Sequence, residues 1–172
     1  MDGMTGAPAV GNMIDDRLSE GVFRVDRNIY LDDAVFQAEL GSIFEADWVF
    51  LCHESQVKNP GDYFAAYLGR QPVFVHRQKD GSLKGFLNAC SHRGAILTPT
   101  QQGNAKTISC RFHGWTYRCD GACIRIKEEE GGYGENFDRS TYDLREIGAI
   151  DSYKGFVFGS LSPDIQSLEV FL

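Results

Sequence analysis

The sequence lacks the features that identify several common classes of protein. Lys and Arg total 17 against 24 Asp and Glu, so the formal charge is −7 at pH 7. Nucleic acids and anionic membranes are bound mainly through clustered positive charge, so neither is an expected partner. No apolar run approaches the ~20 residues that cross a bilayer, and the acidic N-terminus is unlike a secretion signal. We therefore expect a cytoplasmic chain without a membrane anchor.

Cysteine is present in an odd number, five, which disfavours a framework of paired disulfides in a chain that is not secreted. Thiolates are then available as metal ligands. Apolar residues form 42% of the sequence and aromatic residues 12%, which is ordinary for a globular protein. With 172 residues, the chain suits one compact domain, with or without an N-terminal arm.

The N-terminal part of the chain divides into two predicted segments. Residues 1–14 are rich in Gly, Ala and Met without a period, which predicts a mobile arm. Residues 15–47 form an extension with one amphipathic helix, for which Asp32 or Asp33 is the expected N-cap. Apolar residues then recur at three- and four-residue spacings that place them on one helical face. They are Val35, Phe36, Leu40, Ile43 and Phe44.

Short extended segments separated by turn signals follow the helix, and they predict an all-β, antiparallel fold. Asp-Gly pairs at 80–81 and 120–121 lie between apolar segments, which is a strong signal for β-hairpins. Residues 98–104 are expected to be a polar loop and 127–140 a charged, solvated loop. Residues 151–161 are expected to form a final strand.

Two segments of the sequence, CSHRG and CRFHG, each contain one Cys and one His with a Gly close by. Two thiols and two imidazoles within 24 residues can converge if the two segments are facing loops, and that predicts a metal site. Gly94 and Gly114 let the backbone turn tightly, so that amide N–H groups can approach sulfur. The candidate ligands are Cys90, His92, Cys110 and His113.

Ligand order distinguishes two kinds of metal site. A zinc finger of the Cys₂His₂ type takes two Cys from one end of its motif and two His from the other. In a Rieske [2Fe–2S] cluster, two Cys hold one iron and two His hold the other. Each segment here supplies one Cys and one His, which favours the cluster over zinc.

The segments CSHRGAIL and CRFHGWTY resemble the two cluster loops of Rieske proteins, specifically those of the large (α) subunit of aromatic-ring-hydroxylating dioxygenases. The similarity extends from about Glu39 to the C-terminus and includes HESQVKNPGDY and YKGFVFGSL. It implies a Rieske domain over 48–161 with a cluster-binding subdomain at about 88–120. It also implies that residues 162–172 begin a linker to a catalytic domain.

The loops depart from those of respiratory Rieske proteins, which resemble one another in carrying an extra disulfide-forming Cys in each loop. Ala95 and Phe112 occupy the matching positions here, and Trp115 replaces a Ser that bonds to cluster sulfur. Fewer hydrogen bonds to sulfur imply a reduction potential toward the lower part of the Rieske range of about −150 to +300 mV. The resemblance implies further cofactor contacts from Arg93, Gly94, Gly114, Trp115 and Tyr117.

The function implied by the resemblance is electron transfer within a dioxygenase. Electrons pass from a reductase or ferredoxin through the cluster to a mononuclear non-haem iron, which dihydroxylates a benzoate-like aromatic acid with O₂. That iron requires two His and one carboxylate, and its domain is expected after this segment. A neighbouring α subunit, and a β subunit in αβ assemblies, are the implied partners.

Two alternatives belong to other classes of protein: a stand-alone Rieske ferredoxin and a zinc-binding interaction module. The ferredoxin would be shorter and would lack the helix-bearing extension. The remaining cysteines and histidines are expected to serve structural purposes. We expect free thiols at Cys52, Cys119 and Cys123. We expect a structural hydrogen bond at His53, and packing or solvent exposure for His76.

Overall fold

The computed structural model describes residues 10–172 and confirms the predicted all-β class. The strands are β1 (Ile14–Arg17), β2 (Val22–Val25), β3 (Val49–His53), β4 (Asp62–Leu68), β5 (Gln71–Arg77), β6 (Leu83–Leu87), β7 (Gln102–Asn104), β8 (Thr107–Ser109), β9 (Thr116–Arg118), β10 (Cys123–Arg125), β11 (Ala149–Tyr153) and β12 (Phe156–Ser160). The helices are α1 (Asp33–Glu39), α2 (Glu129–Gly132) and α3 (Leu168–Phe171). Within residues 10–172 no helix has the length and apolar character to cross a membrane.

Within residues 10–172 the strands form four antiparallel sheets. The largest has the order β6-β5-β4-β7, and a second contains β11-β12-β3. The third sheet, β8-β9-β10, is built from short strands and holds the second Cys–His segment at the tip of its β8–β9 hairpin. The fourth is the β1–β2 hairpin of the N-terminal extension.

Strand β5 lies between two hydrophobic cores. Successive side chains of a strand point to opposite faces, and β5 is buried on both, with Val73 and Val75 in one core and Phe74 in the other. The first, which we call the sheet core, consists of Leu51, Cys52, Val57, Phe64, Leu68, Val73, Val75, Ile147 and Val157. The second, the site core, consists of Tyr63, Phe74, Phe86, Cys90, Leu97, Ile108, Cys110, Trp115, Tyr117, Cys123, Ile126 and Leu144.

Both Asp-Gly pairs form hairpin turns as predicted. Gly81 connects β5 to β6 with φ +87°, and Gly121 connects β9 to β10 with φ +97°. These angles lie in the left-handed region, which glycine adopts without steric cost. At Gly121 the constraint is also one of space, because a Cβ atom there would lie 2.6 Å from a ring carbon of Phe86.

The helix of the N-terminal extension is confirmed, but its predicted apolar face is only partly correct. The Asp32 side chain caps α1 by accepting hydrogen bonds from the N–H groups of Ala34 and Val35. A π-helical turn at Leu40–Phe44 follows α1 directly. Its i→i+5 bonding changes the angular spacing of later side chains. Val35 and Leu40 are buried, whereas Phe36, Ile43 and Phe44 are exposed; the π turn changes the direction of the last two, and Phe36 precedes it.

Three segments differ from their predicted form. The polar loop at 98–104 contains β7, which pairs with β4. The charged loop at 127–140 contains the short helix α2. Residues 151–161 form most of a hairpin rather than one strand, because Lys154 and Gly155 turn the chain with positive φ angles of 50° and 87°.

The predicted N-terminal arm lies only partly within the described residues. Residues 1–9 are outside them. The remaining residues of that segment form a 3₁₀ turn at Val10–Met13 and the first residue of β1.

Candidate metal centre

The two Cys–His segments form loops with the same backbone hydrogen bonds. In the first loop (90–95), the Cys90 N–H donates to Ala95 O at 2.8 Å, and the Gly94 N–H donates to Cys90 O at 2.8 Å. In the second loop (110–115), the Cys110 N–H donates to Trp115 O at 2.7 Å.

The second loop is closed by the Gly114 N–H, which donates to Cys110 O at 2.9 Å. Both glycines have φ +73°. The repeated unit is therefore the five-residue stretch from Cys to Gly, within which the His stands third in one loop and fourth in the other.

The four candidate ligands form two pairs of like side chains. Both thiols are buried, with 3% of each residue exposed. Burial raises the pKa of Cys90, and the neighbouring Cys110 thiol raises it further, although a hydrogen bond with Tyr117 acts in the opposite direction. The rings of His92 and His113 lie 4.7 Å apart between centroids.

The imidazole pair is accessible, unlike the thiol pair. Both rings line an open groove of about 510 Å³. Partial burial lowers the pKa of His92, with further lowering by the charges of His113 and Arg93. Within residues 10–172 no three His, Cys, Asp or Glu side chains are grouped as a single metal ion would need. Two thiols on the inside and two imidazoles on the outside form instead a donor set that fits two metal ions of different ligation.

Tyr117 connects the second loop to the first. It is fully buried, and its hydroxyl lies 3.2 Å from Cys90 Sγ. The Ser91 N–H donates to the same hydroxyl oxygen at 3.1 Å, which leaves the hydroxyl hydrogen to point at sulfur. Burial strongly raises the pKa of Tyr117. The phenol therefore stays protonated and can donate to a thiolate.

Trp115 provides a second connection between the loops. Its ring stacks on His92 with centroids 4.8 Å apart and planes 11° from parallel. Trp115 is itself buried, and the edge of Tyr142 packs against it at 5.3 Å. In contrast, Phe112 is 67% exposed and packs on the ring of His113 at 4.1 Å.

Arg93, the remaining predicted contact residue, lies at the surface between His92 and Gly94. Its guanidinium forms no ion pair with any carboxylate of residues 10–172. The Arg93 side chain is therefore exposed to solvent. Together with the residues described above, it places all of the predicted site residues in one region.

Several residues of the site were not predicted. Asn88 is buried two residues before the first loop, and its side chain bonds to Leu97 and Thr98. Asp143 accepts a hydrogen bond from Ser91 and another from the Cys123 N–H. Tyr133, Phe137 and Tyr142 pack beside Trp115. The aromatic residues of this segment were a usable signal that it is not merely a solvated loop.

The cysteines and histidines outside the two loops have structural surroundings. All five cysteines are free thiols, and burial raises the pKa of Cys52 and of Cys123 to about 11. His53 caps a 3₁₀ turn, accepting a hydrogen bond from the Ser55 N–H at 3.2 Å. His76 is fully buried and bonds to Ala105 O at 3.0 Å.

Comparison with known proteins identifies the kind of domain. The family model described as Rieske [2Fe-2S] domain matches residues 47–148. The chain belongs to the Rieske [2Fe–2S] domain family. This confirms the predicted cofactor, and the paired thiols, paired imidazoles and Tyr117 hydroxyl fit such a cluster.

Relatives of this Rieske chain are subunits of larger enzymes. It is 41% identical over 169 residues to the toluate 1,2-dioxygenase subunit alpha of Pseudomonas putida, covering 97% of this chain and 37% of that protein. It is 43% identical over 174 residues to the 2-halobenzoate 1,2-dioxygenase large subunit of Burkholderia cepacia, covering 98% and 37%. The chain thus spans a little over a third of the length of these relatives.

A solved structure extends the likeness to the backbone. Naphthalene 1,2-dioxygenase from Rhodococcus sp. bound to indole superimposes with a TM-score of 0.81 at 37% identity, over 86% of this chain and 33% of that one. The predicted resemblance to dioxygenase large subunits is confirmed.

Proposed function

We propose that this chain is the electron-transfer domain of the large subunit of a dioxygenase that hydroxylates a benzoate-like aromatic acid. The observation that carries the proposal is the separation of the donor set into a buried thiol pair and an accessible imidazole pair. Such a site holds a redox cofactor in the protein while leaving one side of it open for electron transfer.

In this proposal Cys90 and Cys110 hold one iron as thiolates, and His92 and His113 hold the other. The bound [2Fe–2S] cluster supplies a carrier of one electron. Tyr117 donates its hydroxyl hydrogen to Cys90 sulfur, which stabilises negative charge there. Because no thiolate is on the imidazole side, that side carries less negative charge.

The surface at the imidazoles is the proposed region for electron exchange. The largely exposed Phe112 packs on the ring of His113, and Arg93 is an exposed cation next to His92. A partner protein that binds at this region can contact the imidazole rings while the buried core stays unchanged. A reductase or ferredoxin is the proposed donor, and a mononuclear non-haem iron in a neighbouring large subunit is the proposed acceptor.

The described residues support the expectation that hydroxylation takes place outside this segment. A non-haem iron of this class needs two His and one carboxylate. Besides the two proposed ligands, the chain has His53, which caps a turn, and His76, which is buried and bonded to a backbone carbonyl. We expect residues 162–172 to begin the connection to the catalytic domain. The benzoate-like substrate is supported by the resemblance of the segments HESQ, GRQPV and NACSHRGA and by the names of the toluate and 2-halobenzoate relatives.

The test is anaerobic purification of the chain followed by metal, sulfide and spectroscopic analysis. We expect about two irons and two acid-labile sulfides per chain, visible absorbance, and a rhombic EPR signal on reduction. Cys110→Ser should abolish all three. Colourless protein that contains one zinc and no labile sulfide would refute the cluster. For the substrate, the full-length gene product with its reductase should consume O₂ with substituted benzoates, and failure to do so would refute that part.

A further inference from the structure

Buried polar side chains are few in the described residues, and four of the five form hydrogen bonds at the ends of the two Cys–His segments. Burying a polar group costs free energy unless it is hydrogen-bonded. No buried side-chain nitrogen or oxygen atom of residues 10–172 lacks a partner. The buried polar residues in this part of the chain are His76, Gln78, Asn88, Thr98 and Ser160.

Asn88 and Thr98, the first basal pair, close the segment that contains the first Cys–His loop. The Asn88 side-chain oxygen accepts hydrogen bonds from the N–H groups of Leu97 and Thr98 at 3.0 and 3.2 Å. Its side-chain nitrogen donates to Thr98 Oγ1 at 2.7 Å. Both ends of the segment are therefore held together at one point.

His76 and Gln78, the second basal pair, hold the hairpin that carries the second Cys–His loop. His76 Nε2 donates to Ala105 O at 3.0 Å, just before β8. Gln78 Nε2 donates to Cys119 O at 2.8 Å, just after β9. Burial lowers the pKa of His76, so its imidazole is neutral, and Nδ1 faces the Gln78 amide nitrogen at 3.4 Å. The two ends of the hairpin are thus attached to adjacent side chains.

Both basal pairs are connected to the same strand, β5. His76 is in β5 and Gln78 follows it directly, while the Asn88 N–H donates to the carbonyl of Pro72, at the other end of β5. The hydrogen bonds inside each Cys–His loop fix only that loop. Apolar contacts in the site core favour burial but have little directionality. The hydrogen bonds of the basal pairs are directional. Those of His76 and Gln78 join the second hairpin to the end of β5, and those of Asn88 and Thr98 close the first loop segment at the residue whose backbone is bonded to Pro72.

We propose that His76, Gln78, Asn88 and Thr98 are positioning residues that fix the two Cys–His loops at the separation the cluster needs. This inference rests on the proposed function. It assigns a role to His76, for which the sequence indicated only packing or solvent exposure.

The experiment compares variants of the cluster-loaded chain that remove one hydrogen bond at constant shape. Thr98→Val and Gln78→Met each weaken one basal pair. Thr98→Ser retains the hydroxyl, and Ser160→Ala removes a buried hydroxyl that accepts from the Ser162 N–H, away from the loops. Iron release to an excess of chelator is measured by absorbance. Hydrogen exchange of peptides covering 88–98 and 105–119 is measured by mass spectrometry, and thermal unfolding is recorded for each variant.

We expect iron release to be about tenfold faster in Thr98→Val and Gln78→Met than in Thr98→Ser and Ser160→Ala, because one buried hydrogen bond is lost. Exchange should increase in 88–98 for Thr98→Val and in 105–119 for Gln78→Met. Equal release rates in all four variants would overturn the inference, as would an equal increase in Ser160→Ala. The two Thr98 variants suffice if Gln78→Met does not fold. Failure of the proposed function would appear in the unsubstituted chain, as absence of iron and sulfide, and the exchange comparison would still test the basal pairs.

Discussion

Replacing Tyr117 by Phe is expected to lower the reduction potential of the bound cluster. The substitution removes the hydroxyl that lies 3.2 Å from Cys90 Sγ and leaves the buried ring in place. Reduction adds negative charge, so a hydrogen bond to a sulfur ligand stabilises the reduced form more than the oxidised form.

The size of the change follows from that single contact. A hydrogen bond to a charged group contributes about 1.5–3 kcal/mol net, and only part of that differs between the two oxidation states. If about 1 kcal/mol is the difference, the potential falls by roughly 40 mV, since 59 mV corresponds to a tenfold change for one electron. The Ser91 N–H also loses its acceptor, which should cost about 1 kcal/mol of stability.

The assay is a redox titration followed by EPR, with Tyr63→Phe as the matched control. Tyr63 belongs to the same core, and its hydroxyl bonds to Thr100 Oγ1 at 2.9 Å, not to a candidate ligand. The control should leave the potential unchanged. An unchanged or higher potential in Tyr117→Phe would refute the argument that this hydroxyl stabilises charge on sulfur.

Three further predictions concern other residues of the chain. Hydrogen bonds from Arg70 lower the pKa of Glu45 to about 2 from 4.5. The ionised carboxylate therefore stabilises the fold above about pH 4.5 and loses this effect as the pH falls toward 2. Glu45→Gln should make the unfolding temperature depend less on pH over that window. Gly121→Ala should destabilise the fold by ~2 kcal/mol or more in urea unfolding, because φ is +97° and the new Cβ meets the Phe86 ring at 2.6 Å. Trp115→Leu should broaden the EPR signal of the reduced chain, because the imidazole stacked on this ring at 4.8 Å loses its support.

Each of these has a control or a contradicting result. Arg70→Gln should reproduce the flattened pH profile, and a profile unchanged by either substitution would disprove the link. Gly134→Ala should be close to neutral, since nothing lies within 4 Å of a Cβ there and its φ is not positive. Phe74→Leu alters the same core without touching either imidazole. If Phe74→Leu broadened the EPR signal as much as Trp115→Leu does, the cause would be altered core packing and not the loss of the ring stacked on His92.

Local chemistry explains which parts of the fold could be predicted from the sequence. Asp-Gly pairs determine turns within a few residues, and both predicted hairpins formed around them. The candidate site was found because Cys and His recur with Gly at matching positions, and its loops are closed by bonds within six residues. The Asp32 cap is likewise a contact between near neighbours in sequence.

Most of the features that were missed depend on partners distant in the sequence, and the others are local conformations. The π turn at Leu40–Phe44 has no signature in the sequence. Strand β7 is stabilised by pairing with β4, some 40 residues away along the chain. The proposed roles of Asn88 and His76 rest on hydrogen bonds between segments, and the side chains alone suggested neither. The Lys154–Gly155 turn, in contrast, carried a local glycine signal that could have been used.

Because β5 lies between two cores, alternate residues of this one strand pack in different cores. A change at Val73 or Val75 should alter the packing of the sheet core. A change at Phe74 should alter the packing of the core that contains the cysteine pair. Redox properties and overall robustness can therefore vary separately in this chain, by substitutions one position apart.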